Sequence, residues 1–156
     1  MHKSIPKAMN MKKLFLLFGI IIISVSCEKT QVDRNFDDDP SIKNIDGTWL
    51  VISYESIKNP IIRKNDVESW NGMDVILTFA KDSLYGRNTT NTVTGNYTLE
   101  NRTIHIIRYG GTKIGQPAWG NMFSDAVFKL DSFKINSNQL RFYYNDNNNS
   151  VTLIRK

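Results

Sequence analysis

From Asp46 to the last residue the sequence is a succession of apolar/polar alternations, most of them joined by links too short for a crossover helix, and this constrains the fold more than any other feature. Thr48 to Tyr54, Val75 to Phe79, Ser83 to Tyr85, Thr92 to Leu99, Thr103 to Ile107, Phe133 to Ile135, Leu140 to Tyr144 and Val151 to Leu153 each read as a strand. Within them Val93, Tyr97 and Leu99 share one side, while Ile104 and Ile106 point inward and His105 outward. Ala80-Lys81-Asp82, Glu100-Asn101-Arg102, Asn136-Ser137-Asn138 and the run from Asn145 to Asn149 are turn chemistry between them. Strands on such short links pair antiparallel, because a parallel pair needs a connection of about a dozen residues or more. The expectation is an all-β up-and-down meander of eight strands.

One stretch leaves the two-residue period. Between Gln116 and Leu130, Trp119, Met122 or Phe123, Ala126 and Leu130 recur at three-to-four spacing, with Pro117 suited to a first helical turn and Gly120 weakening it. A short helix is expected here, covering one end or one open side of the sheet. Eight half-apolar strands must close or stack to avoid exposed edges. A closed eight-strand barrel either holds a small ligand or is filled by its own side chains. A membrane barrel would need strands of about ten residues with an apolar outer band, and these strands are shorter.

Ahead of the barrel lie Met11-Lys12-Lys13, an apolar run from Leu14 to Ile23, and Ser24-Val25-Ser26-Cys27. A charged start, a short apolar stretch and small residues before a break are the parts of a secretory signal. The run falls short of the roughly 20 apolar residues of a transmembrane helix. With the only cysteine of the chain at the break, the segment resembles a bacterial lipoprotein signal with a lipobox at Ser24 to Cys27. The resemblance implies a lipidated Cys27 thiol, cleavage before it, acylation of the new amino terminus and, in a Gram-negative cell, an outer-membrane address on its periplasmic or outer face. An ordinary cleaved signal would instead leave Cys27 an unpaired thiol in an oxidising compartment. Ser24 departs from the aliphatic residue commoner at its place, and Met11 is the expected start.

Processing also removes the apparent basicity. The formal charge is +5, but taking the four leader lysines from twenty basic residues leaves sixteen against fifteen acidic ones, a net of +1 over the remaining 130 of 156 residues. A nucleic-acid partner is therefore not expected. One domain of this size can bury a core of its own, here without a disulfide. Residues 28–45 have no sustained period and carry Asp37-Asp38-Asp39, read as a solvated stretch of tether in preference to a cation site. As a coil this segment would span roughly 20–25 Å. The chain thus divides into a leader, 1–26, a lipidated cysteine and tether, 27–45, and a barrel domain, 46–156, expected to be monomeric.

Gly47-Thr48-Trp49, at the head of the first strand, resembles the G-x-W signature of lipocalins and lipocalin-like domains. With Gly95-Asn96-Tyr97, Ile104-His105-Ile106, the helical stretch from Phe123 to Leu130, Phe133-Lys134-Ile135 and Leu140-Arg141-Phe142, residues 46–156 resemble the META and lipocalin-like domains of small Gram-negative lipoproteins. This resemblance implies a small eight-stranded antiparallel lipocalin-like barrel with no shared catalytic residues. The G-C-N motif of many META domains is absent, Thr94-Gly95-Asn96 being the nearest stretch. In lipocalin-like domains a basic residue often lies across the signature tryptophan, which makes Arg155 the implied partner of Trp49. The plainer alternative is a core Trp49 and a solvated Arg155.

Residues able to carry chemistry are sparse. His105 is the one histidine beyond the leader, and a lone imidazole without Cys or Glu-x-x-His spacing builds neither a zinc site nor a triad. Glu55, Glu68, Asp66 and Asp74 are read as scattered surface carboxylates, and Gly110-Gly111-Thr112-Lys113 lacks P-loop spacing. No catalytic activity, cofactor or metal is expected. The most suggestive surface is the long loop from Ser56 to Gly72, where Ile61, Ile62 and Trp70 either pack over the barrel mouth or meet a partner. Gly110 to Trp119 is a candidate second wall. Two functions compete: a membrane-anchored, non-catalytic binding module for a small apolar ligand or envelope component, and an inhibitor or assembly factor engaging an envelope protein through its loops. Interior Phe79, Tyr97, Phe133, Phe142 and Tyr144 tend to fill the barrel and tilt the choice toward interaction or a shallow site.

Overall fold

The computed structural model describes residues 36–56, 61–62 and 73–156. The strands are β1 (Gly47–Ser56), β2 (Ile61–Ile62), β3 (Val75–Ala80), β4 (Ser83–Asn88), β5 (Asn91–Glu100), β6 (Thr103–Gly111), β7 (Leu130–Ile135), β8 (Gln139–Tyr144) and β9 (Asn149–Arg155), with one helix, α1 (Ala118–Val127), between β6 and β7. Each strand pairs antiparallel with its chain neighbour from β3 to β9, β1 pairs with β3, and β1 also pairs with β9, so the sheet closes on itself. Eight strands make this barrel. β2 adds a two-residue ladder on β1, Ser53 opposite Ile62 and Tyr54 opposite Ile61, where the sequence reads only as loop.

The register sorts the turns onto two poles. Gly47, Ala80–Ser83, Glu100–Thr103, Ile135–Gln139 and Arg155 lie at one end, the floor. Ser56, Asn88–Asn91, Gly111 and Tyr144–Asn149 lie at the other, the mouth. Register shifts at Ile52, Ile107 and Asp131 interrupt three of the ladders, the kind of extra residue that bends a strand into a closed wall.

The wall is uneven. β7 meets β6 only at Ser132 opposite Thr103, with the Phe133 N–H donating to the Arg102 carbonyl at 3.0 Å. α1 packs across the mouth, against β3, β4, the β4–β5 turn and Tyr54 of β1. Its buried face of Trp119, Gly120, Phe123, Ala126 and Val127 turns into the barrel, and Phe128 at its end is 61% exposed.

Side chains fill the interior. Trp49, Leu77, Phe79, Leu84, Tyr97, Ile104, Phe123, Ile135, Leu140, Phe142 and Leu153 are all essentially inaccessible. Phe79 meets Tyr97 edge-on at 5.3 Å and Phe142 at 5.7 Å. Each such side chain contributes about 1.5–3 kcal/mol by leaving water.

The segment expected as a free tether is docked over residues 36–45. Ile45 is fully buried and its carbonyl accepts the Trp49 indole N–H at 2.8 Å. Asp39 donates its N–H to the Ile135 carbonyl at 2.8 Å, and Asp38 accepts the Ile135 N–H at 2.8 Å. Asn136 donates to the Asp37 carbonyl, Arg102 to the Asp39 carbonyl, and Arg102 pairs with Asp38 at 3.5 Å. The Arg141 guanidinium lies 5.1 Å from the buried Phe36 ring. The aspartate run is docked rather than free, although Asp37 and Asp39 stay exposed: Asp38 accepts the Ile135 N–H and Asp39 donates to the Ile135 carbonyl, on the side of the β7 end that has no neighbouring strand. The Ser41 hydroxyl and N–H hold the Asp39 carboxyl below the usual carboxylate range.

Candidate functional site

At the floor the structure brings together the three signature residues. The Arg155 guanidinium carbon lies 4.3 Å from the Trp49 ring centroid, its Nε donates to the Ser137 carbonyl at 3.0 Å and its Nη1 to the Asp46 carbonyl at 3.2 Å. Gly47 has φ +138°, and a Cβ there would strike Arg155 Nη1, so glycine is required twice over. The Tyr97 hydroxyl sits at the same end, 3.4 Å from Asp46, with its pKa pushed far up by burial and the neighbouring Asp46 carboxylate. These contacts seal a pole.

The mouth is built differently. Tyr54, on β1, meets Trp119 edge-on at 4.7 Å and donates its hydroxyl to the Trp119 carbonyl at 3.0 Å. Burial raises the Tyr54 pKa well beyond its ordinary value, with Tyr144 and Tyr109 adding to the rise. Trp119, expected as part of a binding loop, is instead 5% exposed, because the helical stretch begins at Ala118 and turns that ring into the core. Gly120 explains how a helix with a weak residue in its first turns persists: a Cβ there would lie 2.9 Å from Asn88 Oδ1 and closer to Thr89 Oγ1, so only glycine lets α1 sit on the β4–β5 turn. That turn is strained. Thr89 is β-branched and buried yet has φ +57°, a conformation costing on the order of 1–3 kcal/mol.

Between this turn, the end of β6 and the start of α1 lies a cleft of about 560 Å³, lined by Asn88, Asn91, Tyr109, Gln116, Asn121 and Ser124 among others. Asn91 uses its whole amide: Nδ2 donates to the Ile114 carbonyl and Gln116 Oε1, both at 2.9 Å, and Oδ1 accepts the Ile114 N–H at 2.7 Å and the Thr112 hydroxyl at 3.1 Å. Gln116 Nε2 donates to Asn121 Oδ1 and Ser124 Oγ, each at 3.0 Å. Asn88 Nδ2 donates to Ser124 Oγ at 2.9 Å and the Gly120 carbonyl at 3.1 Å. Asn88 Oδ1 and the Tyr109 hydroxyl are buried without a partner at hydrogen-bond geometry. Burial pushes Tyr109 up to about 12, the nearby Asn88 carboxamide acting against the rise. Apart from Asn88 Oδ1, these amides are spent on one another, on Ser124 and on the backbone, and what they hold is the loop 112–116, with Ile114 60% exposed and Lys113 exposed.

Cys27, Trp70, Asp66 and Glu68 lie outside the described residues, and of Ile61 and Ile62 only the backbone pairing is described. Glu55 pairs with Arg141 at 3.5 Å and accepts the Ser53 hydroxyl at 3.1 Å, His105 is exposed on β6, and no group of three His, Cys, Asp or Glu converges among the described residues. No described helix is long and apolar enough to cross a membrane. Sequence reasoning missed Asn88, Asn91 and Gln116 because asparagines at a hairpin read as turn formers. It missed Phe36 and Asp38 because their partners, the Arg141 guanidinium for one and the Ile135 N–H and Arg102 for the other, lie far along the chain.

No protein-family model matches the sequence, and no curated protein matches it. Solved structures match the fold. A protein from Burkholderia xenovorans solved by NMR is 16% identical, with TM-score 0.59 over 78% of this chain and 99% of that one. A DUF4847 family protein from Bacteroides vulgatus is 18% identical, with TM-score 0.52 over 70% of this chain and 92% of that one. At such identities the likeness shows the barrel fold alone.

Proposed function

We propose that the protein is a lipid-anchored, non-catalytic interaction module that engages an envelope protein through its mouth, with Cys27 as the membrane attachment. The observation that carries the reading is the division of labour inside the barrel. Its interior is occupied by Trp49, Phe79, Tyr97, Phe123 and Phe142, which argues against a small apolar ligand held within, whereas the amide frame around Asn91 is spent on presenting Ile114 and Lys113. Covering Ile114 with a partner would remove its apolar surface from water, which favours association. Preorganisation of the loop lowers the ordering cost of association.

The test is photo-crosslinking in the native cell with a benzophenone side chain at Ile114 and, as a control, at exposed Tyr85 on β4. One envelope protein captured from position 114 and not from position 85 supports the proposal. Adducts equal at both positions, or none, overturn it, as does a small molecule co-purifying stoichiometrically with the intact barrel.

A further inference from the structure

We infer that the partner docks by laying an extended, acidic segment along the free edge of β6 as an additional strand. This deepens the reading of the mouth as the site that engages an envelope protein, and rests on it.

The free edge follows from where β7 begins. The antiparallel register that sets Ser132 opposite Thr103 runs β7 out at Leu130, near the level of His105, and the chain before it belongs to α1 and its end. β6 continues beyond that level, still paired with β5, as far as Gly111 opposite Val93. Over residues 106–111, about 20 Å of strand, its other side has no strand beside it among the described residues. A Cβ on Gly110 would meet nothing within 4 Å. A row of unpaired N–H and C=O groups is a template for another chain, and an added strand draws its affinity from those main-chain hydrogen bonds.

Apolar surface gathers at the same edge. Ile107, Ile114 and Phe128 are three of the four large hydrophobic side chains exposed among the described residues, at 65%, 60% and 61%. Ile107 lies on the edge strand itself, Phe128 meets Tyr109 edge-on at 6.1 Å, and Ile114 follows the end of β6. Exposed apolar side chains scattered singly are ordinary, whereas a group of them marks an interaction site.

Charge selects the occupant. No acidic residue occurs over residues 103–124, and exposed Arg108, Lys113 and Lys129 adjoin Ile107, Ile114 and Phe128 in the chain. Of the exposed carboxylates nearby, Asp125 acts on Tyr144 of β8 and Asp131 stands beside Ser132, below the free stretch. A segment carrying Asp or Glu between apolar residues complements this edge. A second copy does not, because two β6 edges side by side would set cations against cations.

The test offers three octapeptides to the full lipoprotein in detergent micelles: one alternating Glu and Val, one alternating Lys and Val, and one alternating Glu and Pro. The last keeps the charge but cannot pair along a strand. The Glu-Val peptide should bind several-fold more tightly than either control and should slow amide exchange at alternate residues of 106–111. Arg108→Glu with Lys129→Glu, both at exposed positions, should turn the preference toward the Lys-Val peptide. Equal binding of the Glu-Val and Glu-Pro peptides, protection elsewhere, no binding, or a dimer formed through this edge overturns strand addition. Any of these results spares the mouth interface if the crosslink at Ile114 still captures its envelope protein. Loss of that capture removes both.

Discussion

The Arg155 guanidinium lies face-on to Trp49, 4.3 Å from the ring centroid, and closes the barrel by joining the last strand to the first. Arg155 also ties the Ser137 turn and the Asp46 carbonyl to the same spot. Trp49→Ala should lower stability by about 3–5 kcal/mol, as for other large buried aromatics. Arg155→Ala should cost about 1–3 kcal/mol. A double-mutant cycle by chemical denaturation should return a coupling of about 0.5–2 kcal/mol. Additive losses would mean that Arg155 contributes only its hydrogen bonds.

Asn91 should prove to be the residue that stiffens the 112–116 loop. Asn91→Ala removes four hydrogen bonds at once, two of them to Ile114. A stability loss of about 1–3 kcal/mol is expected from the partners left unpaired. Amide exchange should show the Ile114 N–H losing its protection while the β5 ladder keeps most of its own. Unchanged protection at Ile114 would contradict the frame.

Gly120→Ala should destabilise the protein in spite of alanine's better helix propensity. The added methyl meets Asn88 Oδ1 and Thr89 Oγ1 in a buried, already strained turn. A cost of about 1–3 kcal/mol is expected from overpacking, measured as a lower Tm. A raised Tm would show that α1 has room to shift outward.

Alkali should unfold the domain earlier than acid-side reasoning suggests. Tyr109 has its pKa pushed up to about 12 from an ordinary 10.0, and Tyr54 and Tyr97 are shifted the same way, chiefly by burial. The folded state therefore holds protons that the unfolded state releases above pH 10, so stability is full below that value and falls as pH rises through 12. A Tm profile flat to about pH 9 and declining beyond 10 is expected. Tyr54→Phe should make the decline shallower.

The barrel was legible because alternation and short links leave few alternatives: Val93, Tyr97 and Ile104 are buried as their periods require, and His105 is exposed. The helix was legible from the spacing of Trp119, Phe123 and Ala126, but Leu130 opens β7 because the chain must return to the sheet. Trp119 carried two readings, a position on the helix and the end of a second wall at the mouth, and the buried, helical one holds because Gly120 admits a close approach of α1 to the β4–β5 turn. The docked segment before β1 was illegible because its aspartates bond to N–H and carbonyl groups of residues nearly a hundred positions away, which no local period records.

Because β1 and β9 are neighbours in the ring, closure waits for β9. Trp49 cannot meet Arg155 until more than a hundred residues separating them have been made and threaded out of the cell's synthetic machinery. During that interval the outer edge of β1 is open on the β9 side, and an unpaired apolar edge is a template for wrong partners. Closing so long a loop also makes folding slow. The protein therefore spends its vulnerable time before the final strand arrives, and a chain truncated even a few residues before Arg155 should be a substrate for proteases and chaperones.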